Sequence, residues 1–171
     1  MQELPVRRLV PDDAPAHRAL MLEAFARHPE AFTSTAAERA ALPLEWWQAR
    51  LAPASREVLF GAFDGDRLAG TVGLALEQRA RTRHKALLFG MYVAPDCRSR
   101  GLGGRLVDAV LAHARATPGV ELVQLTVTER NVAALELYRS RGFVAWGIEP
   151  RAVTLDGGHA AKVHLWCDLR A

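Results

Sequence analysis

Apolar and polar positions change period several times along the chain, and each change marks an element. Leu4 to Val10 predicts a first strand; Asp12 or Asp13 then offers an N-cap, with Pro15 tolerated in the first helical turn. Leu20, Met21, Ala24 and Phe25 follow at helical spacing and predict a buried face. Thr35 and Glu38 fit a capping box and Pro43 forces a break, so residues 36–52 predict helix, kink, helix. Adjacent Trp46 and Trp47 cannot share a helix face, so one is expected inside and the other against a groove or the surface.

Val58 to Phe63 and Leu68 to Leu76 are β-rich and joined by Asp64-Gly65-Asp66, which predicts an antiparallel hairpin. Ala86 to Val93 is almost wholly apolar, the pattern of a mid-sheet strand covered on both faces. Leu102, Leu106, Val107, Val110, Leu111 and Ala114 then predict a helix reaching to Pro118, and Val120 to Val127 a further strand. That strand, helix, strand order makes the two strands parallel, with a right-handed crossover. A helix over 131–140, a strand from Phe143 and a hairpin around Asp156-Gly157-Gly158 complete an α/β chain with a mixed, α+β sheet.

Bulk composition narrows the class. The 171 residues, 50% apolar and 24% charged, predict one globular domain over 1–171. A net charge of +3, from 22 basic and 19 acidic residues, suits anionic small ligands without the dense basic stripe of a nucleic-acid reader. Arg79, Arg81, Arg83, His84 and Lys85 read as a solvated hairpin loop, at the opposite end of its strand from the glycine turn. Only Cys97 and Cys167 are present, which favours a reducing compartment, and the six histidines show no ligand spacing, so no metal is expected. The start lacks a signal-like run and the apolar stretch from Ala86 to Ala94 is too short for a bilayer; a soluble, cytoplasmic protein without membrane contact is expected.

Candidate chemistry begins at Arg98-Ser99-Arg100-Gly101-Leu102-Gly103-Gly104, between the apolar strand and its helix. N–H groups at a helix start converge and the dipole adds about half a positive charge, which makes an anion seat. Glycine admits a phosphate close to the backbone, and the arginines can add charge-assisted hydrogen bonds. Arg105 and Leu106 replace the Lys-Ser/Thr of a P-loop, and Leu106 stands where a dinucleotide fingerprint needs its third glycine, so both of those matches fail.

Arg98-x-x-Gly101-x-Gly103 after Tyr92-Val93-Ala94-Pro95, followed by Asn131-x-x-Ala134-x-x-Leu137-Tyr138-x-x-x-Gly142-Phe143, closely resembles the GNAT superfamily, the GCN5-related N-acetyltransferases. The close match spans residues 86–147. The resemblance implies the acyl-CoA N-acyltransferase fold, about seven strands flanked by about four helices, with the parallel pair splayed apart. It implies acetyl-coenzyme A as co-substrate. Met91, Tyr92 and Val93 would lie along the acetyl-pantetheine arm, residues 98–104 at the pyrophosphate, and Asn131 and Tyr138 near pantetheine and sulfur. The alternatives are a helix N-cap for Asn131 and a core tyrosine for Tyr138.

The implied reaction is direct attack of a primary amine within a ternary complex. A free alkylamine has a pKa near ~10.4 and must lose a proton, while a neutral tyrosine can donate to the departing thiolate, the role expected of Tyr138. The base is open: Glu129, Glu23 or Glu30 through water. Glu23, Glu30, Phe32 and Trp46 are expected near the acceptor, a small amine or amino acid. A peptide N-terminus or lysine, and a non-catalytic coenzyme-binding sensor, are the other readings, and a homodimer is left open.

Overall fold

A computed structural model describes residues 4–171; residues 1–3 of the expected 1–171 unit lie outside the described ones. The strands are β1 (Val6–Arg8), β2 (Glu57–Asp64), β3 (Arg67–Leu76), β4 (Lys85–Val93), β5 (Leu122–Thr128), β6 (Val144–Leu155) and β7 (Gly158–Asp168). The helices are α1 (Ala14–Arg27), α2 (Ala36–Ala40), α3 (Leu44–Leu51), α4 (Leu102–Ala116) and α5 (Val132–Arg139). One sheet runs β1-β2-β3-β4-β5-β7-β6, antiparallel except at the parallel pair β4 and β5. The helix count rises to five because Pro43 divides the expected kinked helix into α2 and α3.

Each face of the sheet carries its own core. Leu102, Leu106, Val107, Val110 and Leu111 of α4, with Leu135 and Tyr138 of α5, cover one face. Leu20, Met21, Ala24 and Phe25 of α1, with Trp47 and Leu51 of α3, cover the other. Thr35 Oγ1 accepts from the Glu38 N–H at 3.1 Å while the Glu38 carboxylate accepts from the Thr35 N–H at 2.8 Å, so the capping box starts α2 as read. Asp13 does not cap α1 with its side chain. Its carboxylate accepts from the Val10 N–H at 2.8 Å and pairs with Arg7 at 2.7 Å, which ends β1 at Arg8 and pins the following 3-10 turn, Pro11–Asp13.

β4 stands fourth of the seven strands, but it is not covered on both faces: Leu87 is 45% exposed, and Phe89, Gly90, Met91 and Val93 are only half-buried. The missing cover is where the cavity described below runs. Residues 77–84, the basic loop, lie at the start of β4, away from the glycine turn beyond its end. β6, at the sheet edge, leaves Val144, Trp146 and Ile148 exposed, a row that the sequence pattern did not single out. No helix among the described residues is long and apolar enough to cross a membrane.

Candidate active site

Gly90 adopts φ +63°, and the β3 to β4 register slips there: Gly73 faces Phe89, but two residues on Thr71 faces Tyr92. One extra residue in β4 is a bulge, and it exchanges the faces of everything after it. Ala86 and Leu88 pack on the α4 side, whereas Tyr92 packs on the α1 side. β4 and β5 pair only from Lys85 and Leu122 to Leu87 and Gln124, then diverge. The Ala94 N–H donates to the Ala69 carbonyl at 2.8 Å and Tyr92 faces Thr71, so β-alternation turns the backbone groups of Met91 and Val93 toward the open side.

The turn after β4 runs through the 3-10 segment Pro95–Cys97 to Ser99 at φ +63° and Gly101 at φ +69°, and α4 begins at Leu102. Arg105 is the first residue of α4 whose N–H reaches back to the Gly101 carbonyl, at 3.2 Å. The N–H groups of the first turn therefore point out of the helix start. The three glycines do different jobs. A Cβ on Gly101 would meet nothing within 4 Å, but one on Gly103 would stand 3.2 Å from Leu137 of α5, and one on Gly104 would collide with the Arg141 guanidinium. Gly103 and Gly104 thus let α5 and Arg141 close on α4.

A cavity of about 710 Å³ passes between the splayed strands, walled by α1, α2, α3 and the 28–34 segment on one side and by α5 on the other. Thr128 Oγ1 donates to the Glu30 carbonyl and Lys162 Nζ donates to Thr33 Oγ1 at 2.8 Å, which holds the 28–34 segment over the mouth. Tyr138, 4% exposed, reaches the wall from α5 with its ring edge-on to Phe143 at 5.6 Å. Burial pushes its phenol well above the usual tyrosine range, so the hydroxyl stays protonated, and it has no hydrogen-bond partner among the described residues. Asn131 lines the same wall one helix length away, its Oδ1 accepting from the Ala134 N–H at 3.1 Å. It is an N-cap, as one alternative held, with its amide donors left over.

On the α1 side the wall is cationic. Arg39 and Arg50 place their guanidiniums over the Trp46 ring at 4.9 and 4.7 Å, and Arg50 also lies 5.3 Å over Phe89. Phe89 fits there because Gly73 has no Cβ. Arg50 Nε pairs with Glu57. His17, 3% exposed, packs edge-on to Trp47 at 5.6 Å; burial first, and the Arg50 charge second, push its imidazole down to about 4. The His17 Nδ1 and the Trp47 indole N–H have no hydrogen-bond partner among the described residues.

Residues 18–143 match the model of the Acetyltransferase (GNAT) family. The chain belongs to this family. A GNAT-family acetyltransferase structure from Streptococcus pneumoniae superposes at TM-score 0.84 with 28% identity, covering 96% of this chain and 98% of that one. Mycothiol acetyltransferase of Geodermatophilus obscurus is 34% identical over 128 residues, 74% of this chain but 39% of that protein. L-amino acid N-acetyltransferase of Escherichia coli K12 is 28% identical over 121 residues, 70% of this chain and 73% of that protein. The chain thus spans about two fifths of the mycothiol acetyltransferases it matches, 39% and 42% in two of them.

Within this GNAT framework the residues named from sequence divide. Met91, Tyr92, Val93, Arg98, Asn131 and Tyr138 line the cavity together with Glu30 and Phe32. Ser99, Arg100 and Gly101 lie exposed beyond it at the helix start, next to Leu102, Gly103 and Gly104. Arg98 is not turned to that start: its Nε donates to the Val93 carbonyl at 3.0 Å, its Nη2 lies 3.2 Å from His28 Nε2, and its guanidinium covers the Tyr92 ring. Three acceptor-side expectations are corrected. Glu23 is outside the wall, held by the Tyr92 hydroxyl at 2.9 Å and by Arg27. Glu129 is exposed and outside it, its N–H bonded to the Ala161 carbonyl, while Arg130 lines it. Trp46 lies outside the wall under two guanidiniums, and Trp47, 1% exposed, is the one in it. His17, Arg39, Arg50 and Lys162 were not singled out at all.

Proposed function

We propose that this chain, acting as one unit, transfers the acetyl group of acetyl-coenzyme A to the amine of a small molecule by direct attack in a ternary complex. The observation that carries the reading is the cavity at the β4 and β5 gap, lined by residues from both faces of the sheet with Tyr138 in its wall. One substrate can enter from each face. The residues fit the coenzyme: the α4 start and the exposed Ser99 and Arg100 suit the pyrophosphate, and the backbone groups of Met91 with the Val93 N–H suit the pantetheine arm, the Val93 carbonyl being taken by Arg98. Bound there, the coenzyme supplies an activated acetyl thioester.

The chain's own groups then hold and move protons. The Val93 N–H can donate to the acetyl carbonyl. Burial raises the Tyr138 phenol far above a thiol, so it acts by hydrogen bonding to the sulfur as negative charge builds there rather than by giving its proton away. Of the three carboxylates considered as proton acceptors only Glu30 is in the wall, 3.4 Å from His28 Nδ1. Arg98 donates to His28 Nε2, which leaves the Nδ1 hydrogen facing Glu30 and fixes the Glu30 carboxylate at the mouth. The ammonium proton leaves through water toward that carboxylate.

The test is a panel of primary amines with acetyl-coenzyme A, following free thiol and acetylated product by mass together. Product above the hydrolysis background for at least one small amine is the expected result. Coenzyme binding without transfer to any amine would support the sensor reading instead.

A further inference from the structure

We propose that the acceptor is an amino carboxylate with an apolar body, its carboxylate received by Arg39 and Arg50 on the α1 side of the cavity. This rests on the acetyl-transfer reading above and adds the substrate class. The argument begins with charge. Two guanidiniums line that side, and only one anion, Glu57, is paired with either of them. Arg39 has no ion pair and no side-chain hydrogen bond among the described residues, and its guanidinium rests over the Trp46 ring. Its pKa is lowered, first by burial and then by the neighbouring Arg50, with the smaller pull of Glu57 and Glu38 against it, the mark of a partly dry cation beside a like charge. His17, kept neutral, does not balance them, and Arg18 adds a further guanidinium behind, donating to the Ala40 carbonyl at 3.0 Å.

Two cations held this close with one paired anion between them cost free energy that a second anion would offset. Their geometry is fixed for that arrival. Both guanidiniums lie over the Trp46 ring, and Glu57 takes the Nε of Arg50, leaving its terminal nitrogens free to form a fork with a carboxylate. Trp46 is therefore a positioning residue for the pair. Met21, Phe25, Phe32 and Phe89 give the same cavity its apolar wall, and Tyr138 lines it with the arginines. An acceptor reaching from the arginines to Tyr138 presents a carboxylate at one end, an apolar middle and an amine at the gap between the strands.

The experiment compares L-leucine, L-leucinamide and isoamylamine as acceptors for the whole chain and for Arg39→Gln and Arg39→Lys. A site built to bind a polar group discriminates strongly against analogues lacking it, so kcat/KM for leucine should exceed that for its amide by about 100-fold or more. Arg39→Gln should collapse that ratio through KM for the acid, and Arg39→Lys should restore part of it. The melting shift produced by coenzyme A identifies a variant that has failed to fold, and Arg39→Lys then carries the comparison. Equal use of acid, amide and alkylamine by the unaltered chain overturns the proposal while leaving acetyl transfer intact. Retention of the acid preference in Arg39→Gln overturns the assignment to this pair. If no amine is acetylated, the functional reading fails, and the carboxylate site is judged by melting alone: a shift from leucine and not leucinamide, lost in Arg39→Gln, upholds it, and no shift overturns it.

Discussion

Burial drives Tyr138 and His17 in one cavity to the same end, a neutral side chain, by raising one pKa and lowering the other. For Tyr138 the consequence is a hydroxyl that donates at every working pH. Tyr138→Phe keeps the ring against Phe143 and removes the donor, so the chemical step should slow by about 100-fold in single-turnover measurements while coenzyme affinity holds. An unchanged step would leave Tyr138 a packing residue. For His17 the consequence is a pH-dependent stability. Its value is 6.5 unfolded and about 4 folded, so above 6.5 both states are neutral and the full stability is present. Between 6.5 and 4 the unfolded chain takes the proton and the folded one does not, so stability falls by about 3 kcal/mol across that window and no further below it. Denaturant midpoints across that range should show the slope, and His17→Phe should flatten it.

At the scale of elements, the sequence shows what is local and hides what depends on a partner. Asp64-Gly65-Asp66 specifies a hairpin, Thr35 and Glu38 a helix start, and Pro43 a break, because each acts within a few residues. The bulge at Gly90 is invisible, since a glycine inside an apolar run has no period of its own, yet it decides which face Tyr92 joins. Trp46 and Trp47 point to different sides, but only the packing of α3 on α1 settles which one meets the cavity. Arg39 and Arg50 sit on separate helices across Pro43, so helical spacing cannot bring them together; Trp46 does. Gly103 looked like space for phosphate, and the structure gives it to Leu137 as well. The bulge makes a direct prediction. A Cβ at Gly90 would meet only Met21, at 4.0 Å, so Gly90→Ala should cost about 1–2 kcal/mol from its positive φ alone, and Gly90→Asn less. Chemical denaturation would check it, and equal losses for both variants would point to packing instead.

Across the whole molecule, the sheet separates a working end from a bystander end. The basic loop, residues 77–84, with Lys85 opening β4, lies at the start of the strand whose far end meets the glycine turn. Replacing the exposed Arg79, Arg81 and Arg83 by serine should therefore leave turnover within about twofold and stability within a few tenths of a kcal/mol, as for other exposed loop charges. A raised KM for the acceptor would place the loop at the substrate after all. The divergence of β4 from β5 reaches further than the shape of a cavity. Amides in the middle of a seven-stranded sheet ordinarily exchange their hydrogens with solvent only when the sheet opens, but those of Met91 and Val93 face a gap where β5 should be. In heavy water the central strand should carry two fast-labelling positions between slow neighbours, and a ligand that fills the gap would make them slow, turning the missing ladder into its own reporter of occupancy.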